Sequence, residues 1–434
     1  MSDDYLDRLE AQLTRLTEQG AHQGVRGRAQ AARVSRGAAP RGPRRSRGPR
    51  RSSEIFAFLA AAAVVVAVVA IVLENVHAGK PQSTTASAER SSTTAASGST
   101  TATTPKTTTA AAPAPPPPAN FAPQSFTAIS ELTWWLLGPG SCPSGAQAPC
   151  GSILRTTNGG RTFTAVHAPA APLVTDQGGT SGYSQVRFAD VHNGFAYGPD
   201  LYATHDGGTT WHRINIGGTV TDLAISAGQT FATVEPASGS GKLMHAPVNS
   251  DTWSTAEAAG DVSGGLWVQG PYIIVQSGQG TGIGTSVLVS ADGGQNFTTH
   301  PAPSPGLPCL FAAPTPPVVW ARCATGMNSG VWRSSDGGAT FTAVVSTGLS
   351  LPNSAPFAAA SSSTAVVGYQ QLYRTTNDGA TWAQTGPTGI RWTYLGFTDP
   401  THGVALGFAG QNATDERLYY TTDAGQTYHR VSLP

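Results

Sequence analysis

From about residue 121 to the end, the chain alternates apolar and polar positions in short runs broken by Gly- and Asp-rich turns. In Val186-Arg187-Phe188-Ala189-Asp190-Val191-His192-Asn193-Gly194-Phe195-Ala196-Tyr197-Gly198 the pattern predicts a strand, a tight turn and a second strand. A third strand follows at Leu201–Thr204, and a fourth begins at Trp211. Gly403-Val404-Ala405-Leu406-Gly407 repeats the second strand near the C-terminus, and residues 132–138 repeat it near residue 121. Strands this short, rich in β-branched and aromatic residues, predict an all-β domain.

The turn between the third and fourth strands is the clearest signal. Thr204-His205-Asp206-Gly207-Gly208-Thr209-Thr210-Trp211 follows the rule Ser/Thr-x-Asp/Asn-x-Gly-x-Thr/Asn-aromatic, which recurs at 156–163, 290–297, 334–341, 375–382 and 421–428. Successive copies start 48, 86, 44, 41 and 46 residues apart, so the double step predicts a further copy near residue 246. There Ala246-Pro247-Val248-Asn249-Ser250-Asp251-Thr252-Trp253 keeps only the Thr-Trp end. Seven units of four strands at this period predict a seven-bladed β-propeller. In each turn a short polar side chain accepts N–H groups of its own turn. Those residues are Asn158, Asp206, Asp292, Asp336, Asn377 and Asp423. Gly207 and Gly208 allow positive φ, and the closing aromatic buries its ring between sheets. The motif is a structural staple.

The first 120 residues read differently. Residues 55–73 are an uncharged apolar run long enough to span a bilayer core. Ten arginines between Arg26 and Arg51 precede it without an acidic residue, which places residues 1–54 in the cytoplasm and the propeller outside. Val76-His77-Ala78 resembles a cleavage site, but a leader this long favours an uncleaved single-pass anchor. Leu6, Leu9, Leu13 and Leu16 share one face of an N-terminal helix. Residues 74–120, rich in Thr, Ser, Ala and Pro, predict a disordered stalk with a reach on the order of 140 Å. The net charge of +1 conceals the arginine block, which could meet anionic lipid or nucleic acid. Topology alone explains it, so the membrane is an expected partner and nucleic acid is not.

Four cysteines fit an exported domain. Cys142 and Cys150 share one loop, and Cys309 and Cys323 flank a predicted hairpin, so two local disulfides are expected. Without a Cys-x-x-Cys pair or a nearby His cluster, these cysteines do not predict zinc. No cofactor is expected.

If the first strand of each unit is innermost, the recurrent turns and the first-to-second turns share one rim. The opposite rim collects the long, irregular pieces at 138–151, 167–185, 276–285 and 408–416. Length variation gathered on one rim of a rigid scaffold predicts the binding face. Trp134, Asp176, Tyr183, Trp267, Trp392 and Tyr394 are its candidate contacts, for a protein or a cell-surface polysaccharide.

The recurrent turns resemble those of the Asp-box (BNR) repeat class. The whole unit, Phe-x-Asp…Gly-x-Ala-x-Gly…Thr-x-Asp-Gly-Gly-x-Thr-Trp, looks most like the photosystem II assembly and stability factor type, over residues 121–434. That resemblance implies a seven-bladed propeller acting as a non-catalytic binding or assembly scaffold. Asp-box turns also occur in sialidases, making a carbohydrate-active protein, glycosidase or lectin, the alternative. Such enzymes resemble one another in an arginine triad and a Phe/Tyr-Arg-Ile-Pro motif. Here no Phe-Arg-Ile-Pro exists, and Arg155, Arg333 and Arg374 lie in third strands leading into turns. A glycosidase also needs two facing carboxylates. Asp176, Asp190, Asp222, Asp261 and Asp399 are the acidic candidates outside the turns, but Asp190 and Asp399 occupy equivalent repeat positions, as His192 and His402 are expected to do.

Overall fold

In a computed structural model of the chain, the described residues are 116–142, 149–175, 179–278, 284–344, 349, 351–410 and 416–434. The expected cytoplasmic segment, membrane span and most of the stalk lie outside them. Among the described residues no helix is long and apolar enough to cross a membrane.

The described strands form seven four-stranded antiparallel sheets, each built from four consecutive strands. The first strands of blades 1 to 7 are Ser125–Ala128, Gln185–Phe188, Thr219–Ser226, Leu266–Gln269, Cys309–Thr315, Phe357–Ala359 and Ile390–Phe397. All seven line one central channel, the arrangement expected from the sequence. The poorly conforming unit forms a complete blade 3, with its degenerate turn between strands Lys242–Pro247 and Ser254–Thr255.

Rings packed between neighbouring blades supply the core. Trp135 of blade 1 stacks on Phe188 of blade 2 at 4.1 Å between centroids. Trp253 keeps the degenerate turn of blade 3 in place by meeting Phe195 of blade 2 edge-on. Blades are in phase with the sequence, so the ring closes without an exchanged strand. Phe121, Trp134, Val404, Leu406 and Val431 pack across the seam between blades 7 and 1, and the Phe121 N–H donates to Pro434 O at 3.3 Å.

The recurrent turn has the same wiring in all six copies. In blade 2 the buried Thr204 hydroxyl donates to Asp206 Oδ1 at 2.8 Å and accepts the Gly208 N–H at 2.9 Å. Asp206 Oδ1 accepts the Thr210 N–H at 2.8 Å, and its Oδ2 accepts the Thr210 hydroxyl at 2.7 Å. Asn158 and Asn377 keep the scheme with one polarity reversed. Their amides donate to Thr162 and Thr381, at 2.8 and 2.9 Å. The two residues after each Asp or Asn take positive φ, including Asp378 at 62° and Ala424 at 59° where other copies use glycine.

Arginines placed just before these turns tie blades together. Arg333 lies over the Trp320 ring, donates to Ser362 O at 3.1 Å and pairs with Asp378 in blade 6 at 2.9 Å. Arg374 reaches Ala424 O in blade 7 at 2.8 Å. Arg155 lies over Trp135. Arg155 thus packs within its own blade, and the three stand in different blades and do not gather into a carboxylate-gripping triad.

Candidate binding site

Two features on the loop-rich side could receive a ligand: the rim of blades 1 and 2, and the central channel. On the rim, residues 138–151 and 167–185 are locked together in their described parts. The Cys142–Cys150 disulfide braces the first, and Cys309–Cys323 bridges directly opposed residues of blade 5. Leu173 N–H donates to Pro149 O at 2.7 Å, Val174 N–H to Tyr183 O at 2.8 Å, and Tyr183 N–H to Pro172 O at 3.1 Å. Gln124 reaches over from blade 1, its amide donating to Val174 O at 2.8 Å and Ser184 O at 3.0 Å. A Cβ at Gly151 would collide with the Tyr183 phenol oxygen, so glycine is required there. Asp200 finishes the corner: it accepts the Gly182 N–H at 2.8 Å and pairs with Arg213 at 2.7 Å.

This packing corrects half of the expected contact set. Trp134, Tyr183 and Trp392 are fully or almost fully buried, so their rings are not presented on the loop-rich rim. Trp134 belongs to the blade 1–7 seam, and Trp392 meets Tyr419 edge-on. Tyr183 fills the core beneath the interlocked loops, where burial pushes its phenol pKa up. Aromatic residues in this fold fill the wedge between sheets first, and the sequence alone does not separate wedge from rim. Asp176 lies outside the described residues, as do 143–148, 279–283 and 411–415 of the expected loops.

Trp267 and Tyr394 do come together, on the wall of the central channel. It encloses about 630 Å3 and is also lined by Phe126, Leu310 and Phe357. A bulge between Trp392 and Tyr394 sets Thr393 out of register, so two aromatics that alternate in sequence face different surroundings. Leu310 is 42% exposed, unusual for a leucine inside a domain. Trp267 and Leu310 each lie one residue into their first strands, on the loop-rich side.

The channel carries one facing pair of opposite charges. Arg187 donates to Phe126 O at 3.1 Å and to Val186 O at 3.0 Å, and lies 5.9 Å from the Tyr197 ring centre. Burial pushes its guanidinium down, but Tyr197, Tyr394 and Asp222 outweigh that and hold it above its ordinary value. Burial raises the Asp222 carboxyl, only partly offset by Arg187 and by the N–H groups of Leu266 and Leu223, at 3.1 and 2.8 Å. Asp190 and Asp399 are likewise spent on turn N–H groups: those of His192 and Asn193, and of Thr401 and His402. The register makes His402 the equivalent of Asn193, not of His192, which corrects the sequence alignment by one position. Of the channel's carboxylates, Asp222 and Asp399 hold the backbone and Glu131 pairs with His402.

Sequence reasoning missed Leu310, Arg187 and Asp200 as well as a group on the opposite rim, His205, His212 and Asp251. No motif marks the first three. The last three join only once blade 3 is folded against blade 2.

The fold and channel define a seven-bladed β-propeller. No protein-family model matches the chain, and no curated protein matches it. Among solved structures it is similar to YCF48 bound to D1 peptide, at 17% identity over 72% of this chain and 96% of that one, with a TM-score of 0.46. It is also similar to a puromycin hydrolase S511A mutant complexed with PGG, at 12% identity over 72% of this chain and 54% of that one, with a TM-score of 0.53. A Mycobacterium tuberculosis puromycin-hydrolyzing peptidase matches at 12% identity over 73% and 55%, with a TM-score of 0.50. The chain spans about half the length of these two hydrolases. What is shared at such identities is the propeller fold.

Proposed function

We propose that the chain is a membrane-tethered, extracytoplasmic propeller that holds a protein partner without acting on it. An extended segment of the partner enters the channel from the loop-rich rim and places an apolar side chain against Leu310 and Trp267. The exposed Leu310 on the channel wall carries this reading. The nearby charged groups are already bonded to the backbone, which suits binding better than proton transfer. The apolar run at 55–73 and the Pro-rich stalk support the tether, and the two disulfides suit an oxidising compartment.

Photo-crosslinking from full-length protein in its native membranes tests this reading. A probe at Thr393 on the channel wall captures a discrete partner, Leu310→Arg abolishes that capture, and Leu132→Arg on the opposite rim leaves it intact. Capture that is indifferent to Leu310→Arg overturns the channel reading. Release of sugar from, or retention on, a polysaccharide column would favour a carbohydrate ligand instead.

A further inference from the structure

Blade 3 has lost the staple that holds the other six turns. Ala246 stands where they have Ser or Thr, Val248 where they have Asp or Asn, and Ser250 where they have glycine. Asp251 occupies the following variable position and projects toward blade 2. There it meets two histidines, His205 within the intact turn of that blade and His212 just after it. Asp251 Oδ1 lies 3.0 Å from His205 Nε2, and its Oδ2 lies 2.7 Å from His212 Nε2. The ligand atoms of the three residues all lie within 4.8 Å of one another, and the group is open to solvent.

Hydrogen bonding fixes which atoms of this group carry protons. Asn193 donates its amide N–H to Asp190 Oδ2 at 2.8 Å, so its Oδ1 is the atom that faces His205 Nδ1 at 2.7 Å. An amide oxygen only accepts, so His205 Nδ1 carries the hydrogen. In the neutral ring Nε2 then presents a lone pair, and it points at a carboxylate oxygen, also an acceptor, 3.0 Å away. Two acceptors at that distance need a cation between them: a second proton on the ring or a metal ion. An imidazole whose far nitrogen is held by a carbonyl oxygen is the arrangement that orients histidine ligands in metal sites.

We propose that His205, His212 and Asp251 bind one divalent first-row transition ion of the zinc class, clamping blade 2 to blade 3. Two imidazole nitrogens and one carboxylate suit zinc, and they disfavour calcium and magnesium, which take oxygen ligands. With ligand bonds of about 2.0–2.2 Å the three donors draw inward, and water takes the fourth position. The clamp sits where the turn network is missing, so the metal replaces a lost local staple with a bond between blades. It lies on the rim opposite the proposed partner and stands independently of that reading.

The test uses full-length protein in detergent, stripped with a chelator and titrated with ZnCl2. Wild type takes up a zinc ion that His212→Ala and Asp251→Asn no longer bind. Asn193→Ala weakens binding roughly 10- to 100-fold by freeing the His205 ring. His212 and Asp251 are exposed and tolerate replacement, and circular dichroism confirms that each variant, Asn193→Ala included, keeps its fold. His300→Ala is the control and binds as wild type. Cobalt in the same site gives visible absorption bands that disappear in Asp251→Asn. Equal zinc uptake by wild type and the Asp251→Asn, His212→Ala double variant overturns the proposal and leaves a proton as the bridging cation. A preference for calcium over zinc also overturns it.

Discussion

His402 of blade 7 lies between two carboxylates, its Nδ1 2.8 Å from Asp399 Oδ2 and its Nε2 3.3 Å from Glu131 Oε2 of blade 1. Glu131 is more than half exposed, so the polar latch contributes little beside the apolar seam beneath it. His402→Ala is expected to cost less than about 1 kcal/mol. Val431→Ala, in the buried seam, is expected to cost about 2 kcal/mol. Urea unfolding of the two variants ranks them, and a larger loss for His402→Ala would refute the ranking.

Ala424 adopts a left-handed backbone at a position where four of the six turns place glycine. Ala424→Gly should stabilise the protein by about 0.5–1 kcal/mol, because relief of strain exceeds the added chain entropy of glycine. A rise in the thermal midpoint checks it.

Acid should loosen the recurrent turns. Hydrogen bonds from Asn296 and from Thr340, respectively, hold the Asp292 and Asp336 carboxyls down at about 2, against an ordinary value of 3.8. A carboxyl lowered on folding stabilises the folded state fully above its ordinary value and loses that contribution as pH falls toward 2. The urea midpoint should therefore drop between pH 4 and pH 2. Asp336→Asn, which copies Asn377, should make that drop shallower; an unchanged slope would count against the assignment.

Cys309 and Cys323 face each other in the inner hairpin of blade 5 and are separated by 14 residues. Replacing both with alanine should cost about 2–4 kcal/mol. The Cys142–Cys150 pair closes a loop of only 8 residues on the rim. Its loss should affect partner capture more than the unfolding midpoint, as capture and calorimetry measured side by side would show.

The architecture was legible because the staple is local. Asp206 and Thr210 bond within one turn, so their spacing survives in the sequence and counts the blades, including the one that dropped the motif. The binding surface was much less legible. Tyr183 and Trp392 look in sequence like Tyr394 and Trp267, yet the first two are sealed in the core and the other two line the channel. The difference comes from a bulge and from loops that fold over one another, neither of which a residue pattern encodes. His205 and Asp251 are 46 residues apart and meet only because consecutive blades stack.

The in-phase blades give the ring a mechanical polarity. The ring's first and last strands meet at the blade 7–1 seam, joined in the backbone, among the described residues, by the Phe121 to Pro434 hydrogen bond described above. A pull on the chain ahead of Phe121 reaches the first strand of blade 1 directly and loads that seam first. Tension from a bound partner would thus fall on the only joint where the chain does not run from one blade into the next, making it the natural place for the ring to yield under load.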